Sequence, residues 1–60
     1  FMETFFTHVF TRLTKHYNLK KDEAQEMLND EWAYVESAYD DGKISPEAVA
    51  RELVCIYMVA

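Results

Sequence analysis

Glu31 is the side chain whose position most needs a chemical reason. On a helix it falls among Ala24, Met27, Val35 and Ala38, the face that the residue spacing marks as apolar. A carboxylate placed there must hold a partner, take up a proton, or face something other than the core. Two readings follow. In the simpler one the carboxylate reaches solvent from a seam between helices. In the sharper one it pairs across an interface, with Arg12, His16, Arg51 or Tyr57 as the available partners. A catalytic role finds no support, because the sequence sets no second acid, nucleophile or metal ligand beside it.

Other chemistry-bearing groups are sparse. The run Asp40-Asp41-Gly42-Lys43-Ile44-Ser45 has the middle of a calcium-binding loop, with Gly42 at the turn position. The first ligand position would then be Ser37 and the last Ala48, so the ligand set is incomplete and a plain helix corner is expected. His8 and His16 stand eight residues apart, two helical turns, and cannot chelate one ion unaided. Cys55 lacks an activating base and reads as a small hydrophobe. No catalytic residue, metal ligand or cofactor is therefore assigned. One basic concentration exists, formed by Arg12, Lys15, His16, Lys20 and Lys21 around the first expected corner. It suits phosphates or an acidic partner, and equally a solvated corner.

The elements that must position these groups are helical. Met2, Phe5, Phe6, Val9, Phe10, Leu13 and Tyr17 recur at steps of three and four, which predicts a first helix over about 2–17. A stripe of threonines, Thr4, Thr7, Thr11 and Thr14, runs beside them. Asn18 suits a left-handed residue ending that helix. Lys20 is a poor N-cap for the next, offset by Asp22 and Glu23 at the positive end of the helix dipole. The second helix is predicted over about 21–41 and ends at Gly42, the one glycine. Ser45-Pro46-Glu47 is a strong start signal, with Ser45 as N-cap and Pro46 in the first helical position. A third helix is predicted from there over 46–60. Val49, Leu53, Ile56, Tyr57 and Ala60 would form its core face; Val54, Cys55, Met58 and Val59 make its back apolar as well.

The expected fold is thus all-α: one domain over 1–60, a compact antiparallel three-helix bundle with the third helix central and largely buried. Its size sets the functional expectation. A chain of this length buries only about 60% of its unfolded surface and commonly needs a disulfide, a metal or a partner. One cysteine cannot form an internal disulfide, which leaves association. The back of the third helix, with Glu31, is the expected interface, and Arg12, His16, Lys20 and Lys21 are the expected polar contacts. A non-enzymatic protein-interaction or regulatory module, self-associating as a homodimer, follows from this. The alternatives are a nucleic-acid-associated regulator using the Arg12/Lys15/Lys20/Lys21 corner, and an accessory subunit docking on a larger protein. The net charge of −5 weighs against nucleic acid. No apolar run reaches the roughly 20 residues that span a bilayer, and a lone cysteine fits a reducing compartment, so the expectation is a cytoplasmic protein off the membrane. Phe1 ahead of Met2 suggests that Met2 is the initiator and the chain a complete short reading frame.

Overall fold

The structure, a computed structural model, describes the backbone of residues 2–58 and the side chains of residues 2–57. Its regular elements are all helical. Among the described residues there are four α-helices: α1 (Met2–Thr11), α2 (Lys21–Asp30), α3 (Trp32–Asp41) and α4 (Pro46–Met58). A π-helical turn, Arg12–His16, continues α1. The expected three-helix bundle is corrected by this count: segment 21–41 is two helices, not one.

The break falls on Glu31, whose φ of −110° and ψ of 28° leave the helical region. Its N–H still donates to the Met27 carbonyl at 3.1 Å, closing α2, while its own carbonyl accepts from the N–H groups of Tyr34 and Val35, opening α3. In one straight helix Glu31 would lie within roughly 60° of Ala24, Met27, Leu28, Val35 and Ala38. Those five are the buried residues of the segment. Breaking the helix forfeits a few backbone hydrogen bonds at about 0.5–1.5 kcal/mol each. Burying the carboxylate would cost several kcal/mol. The break is the cheaper solution, and no polar or charged residue is buried among the described residues.

The first segment behaves as its pattern predicts, with one local change. Val9 and Leu13 are fully buried, and Met2, Phe5, Phe6, Phe10 and Tyr17 pack partly buried around the core. The Thr14 hydroxyl donates back to the carbonyls of Phe10 and Thr11, at 3.1 and 3.2 Å. Such back-bonding competes with the helical ladder and bends helices. Here the ladder widens at that point, and the Tyr17 N–H reaches the Arg12 carbonyl five residues back. Asn18 then takes the expected left-handed conformation, φ 59°, and the Leu19 N–H closes on the Leu13 carbonyl at 3.1 Å. At the second start, lysine has no acceptor to offer. Only the returning half of a capping box forms, with the Lys20 N–H donating to Glu23 Oε1 at 3.1 Å.

The two later caps are as expected. Gly42 ends α3 at φ 74°, and Ser45 Oγ accepts the Ala48 N–H at 3.2 Å to start α4. What differs is which helix is central. α1 packs against α2, α3 and α4, whereas α4 packs chiefly on α1 and its π turn. Val49, Ala50 and Leu53 are fully buried, but Cys55 is exposed and Ile56 is 51% exposed. The expectation of a central, largely buried third helix is therefore corrected. Its core stripe is Val49, Ala50 and Leu53, with Tyr57 partly buried, and Ile56 falls outside it. Val54, assigned by sequence to an uncovered back face, packs partly buried against the core.

Removing the Ser45 hydroxyl should show how much the start of α4 contributes. Ser45→Ala is expected to lower the unfolding free energy by about 0.5–2 kcal/mol, seen as a lower urea midpoint with an unchanged slope. An unchanged midpoint would mean the cap carries no stability.

Candidate functional site

Among the open grooves of the described residues, two stand out by their lining, and one polar latch accompanies them. The first groove is cationic. α1 and the π turn form one wall with His8, Thr11, Arg12, Lys15 and His16, and Glu47 from the first turn of α4 stands opposite. Its volume is about 430 Å³. The π turn matters to its make-up. Residues four apart on an α-helix drift by about 40°, and the wider turn takes back part of that drift, so His8, Arg12 and His16 stay in one row. The structure thus brings Arg12, Lys15 and His16 together with His8. Lys20 and Lys21, expected in the same cluster, are exposed at the start of α2 and do not line the groove.

The second groove is apolar and larger, about 670 Å³. Met2, Phe6 and Trp32 supply its apolar lining, and Glu3, Thr7, Gln25 and Asn29 its polar edge. Gln25 Nε2 donates to Asn29 Oδ1 at 3.2 Å, which orients both amides. The Trp32 ring lies 5.4 Å from Phe6, tilted by 59°, and the residue remains 37% exposed. The break at Glu31 sets the start of α3, and so places Trp32 against α1. In a straight helix Trp32 would stand about 100° from Glu31, at the edge of the apolar arc, and in the structure it lines the groove.

The latch joins the far end of α4 to α2. Tyr57 Oη donates to Asp30 Oδ2 at 2.7 Å. Tyr57 was an anticipated partner for Glu31, and it takes the neighbouring carboxylate instead. Glu31 itself is half-buried beside it. The hydrogen bond to Asp30 pushes the Tyr57 phenol up to about 12; desolvation and the charges of Asp30, Glu31 and Glu26 add to the effect. The Tyr34 phenol is also raised, by burial first and then by the Glu52 carboxylate, with Arg51 opposing.

Of the other expected interface residues, Val54 and Cys55 lie about 100° apart on α4, one packed against the core and one exposed. Val59 and the Met58 side chain lie outside the described residues. Among the described residues no three His, Cys, Asp or Glu side chains converge to hold a metal ion. No helix among them is long and apolar enough to cross a membrane. Compared with known proteins, the chain matches no protein-family model, no curated protein and no solved structure. The chemistry of its surfaces must carry the functional reading.

The latch has a pH signature. Below an ordinary phenol value of about 10 Tyr57 is neutral in both folded and unfolded chains, and its hydrogen bond contributes fully. Between about 10 and about 12 the unfolded chain ionises first, so the contribution falls as pH rises and is gone above the folded value. Tyrosinate absorbance of wild type minus Tyr57→Phe should therefore titrate with a midpoint near 12. A difference midpoint near 10 would show that the hydrogen bond is not held in solution.

Proposed function

We propose that this chain is a small non-enzymatic protein-interaction module that self-associates through apolar helix surface left open by its fold. The observation that carries this reading is Trp32, 37% exposed beside Phe6 and Met2 in an apolar groove with an oriented amide pair at its edge. Tryptophan is enriched among the residues that dominate binding energy at interfaces, because it offers a large apolar body at small entropic cost. Among the described residues Ile56, 51% exposed on α4, is the second large apolar side chain left open.

A second copy of the chain is the favoured occupant. A small fold with a single cysteine has no internal disulfide to stabilise it, and isologous two-fold contact is the commonest way such a surface is covered. Size limits the strength of the contact. A standard interface covers about 800 Å² per partner, near a fifth of this chain's 4275 Å² of accessible surface. The groove alone is smaller than that, so the contact must extend beyond it, and a modest, concentration-dependent dimer is the expected form. The polar positions named from the sequence, Arg12, His16, Lys20 and Lys21, would then act at the rim, where they tune association rate and salt dependence more than affinity.

Light scattering behind size exclusion tests the reading across a range of loading concentrations. Wild type should approach a dimer mass as concentration rises. Trp32→Glu and Ile56→Glu should each shift the equilibrium toward monomer by about tenfold or more, the effect of losing roughly 1.4 kcal/mol, with far-UV circular dichroism preserved. A wild-type monomer at every concentration would refute self-association.

A further inference from the structure

The apolar surface proposed for self-association does not account for the make-up of the cationic groove. The chain carries a net charge of −5, yet Arg12 and Lys15, with both of its histidines, line this one hollow. All four side chains are exposed. Among the described residues no side-chain hydrogen bond occupies the Arg12 guanidinium or the Lys15 ammonium. Arg12 and Lys15 carry like charges on one surface, and among the described residues Glu47 is the one carboxylate lining the hollow with them.

We infer that the groove between α1 with its π turn and the start of α4 binds a compact phosphate monoester that carries a hydroxyl or ammonium donor beside its phosphate. The Arg12 fork matches two phosphate oxygens, Lys15 adds a point charge, and the imidazole N–H groups of His8 and His16 and the Thr11 hydroxyl are further donors. Glu47 faces this set and would repel a bare anion. The same carboxylate accepts a hydrogen bond from a neighbouring hydroxyl or ammonium, so it selects a ligand having both groups. A polyanion fits poorly. Surface charges are screened over about 8 Å at physiological salt, so a compact dianion senses the groove alone. An extended nucleic-acid strand would run on over the acidic remainder of the surface. A hollow of about 430 Å³ also falls in the range of small-molecule sites.

The test is a nuclear magnetic resonance titration of the full chain, reading the imidazole resonances of His8 and His16. The probes are inorganic phosphate, phosphorylethanolamine and a short single-stranded oligonucleotide. Phosphorylethanolamine should saturate the shifts at a concentration several-fold lower than inorganic phosphate. Arg12→Gln should weaken both by about tenfold or more, through loss of the two-pronged charge-assisted contact. Glu47→Gln should erase the preference by tightening inorganic phosphate and weakening phosphorylethanolamine. Imidazole resonances that respond to neither phosphate compound would overturn the inference. So would an oligonucleotide that binds more tightly than both, or a preference unchanged in Glu47→Gln.

Discussion

A carboxylate cannot sit in the middle of an apolar core this small without costing much of the stability available. Sixty residues at about 0.05–0.15 kcal/mol each leave only a few kcal/mol in total. Several would be spent on burying Glu31 in a straight helix. The chain instead interrupts that helix at Glu31, and most of the tertiary structure follows. α2 and α3 become separate cylinders that both lie against α1. Leu28 and Val35 are each fully buried, and Trp32 is set against Phe6 while Tyr39 meets Phe5 edge-on with centroids 5.5 Å apart. The carboxylate stays at the boundary beside the Tyr57–Asp30 hydrogen bond, close enough to raise the phenol.

This arrangement makes α1 the hub and leaves α4 a flank. Ten buried apolar residues among those described, drawn from α1, the π turn, α2, α3 and α4, form one core. The radius of gyration of 10.3 Å agrees with the ~10 Å of a folded domain this long. Surface left uncovered is thus a matter of where α2 and α3 end up, not of a core too large for its cover. Among the described residues the large open apolar side chains are at the helix break and on the flank, at Trp32 and Ile56. The cationic groove has a similar origin, since the π turn that Thr14 helps to open keeps Arg12 and His16 in row with His8.

Much of the fold was legible in local signals. Asn18, Gly42 and Ser45 each stand where the chain must leave or enter a helix, and their chemistry specifies the backbone without tertiary help. The apolar row from Met2 to Tyr17 is legible because its period is sustained over four turns. The break was not read as such, although its cause was: Glu31 stood out as a charge in an apolar arc. No proline or glycine marks the interruption, and periodicity carries across it, because both halves face the same core. Its location depends on comparing desolvation with lost hydrogen bonds, which is a tertiary quantity. The third predicted helix is present as α4, and its buried face was misassigned for a related reason. An all-round apolar sequence does not say which face meets the core, and Val54 and Ile56 exchanged roles once α1 became the hub. Trp32 and Asp30, central to the groove and to the latch, take their places from the break and so were hidden with it.

The central claim is that the charge of Glu31 forces the interruption. It is tested most directly by backbone carbon chemical shifts of wild type and of Glu31→Leu. In wild type, residue 31 should depart from helical shifts, with contacts between the Phe6 and Trp32 rings. In Glu31→Leu, with an apolar side chain free to enter the core, helical shifts should run unbroken from Lys21 to Asp41 and the contacts between the rings should weaken. A break that persists unchanged in Glu31→Leu would contradict the account.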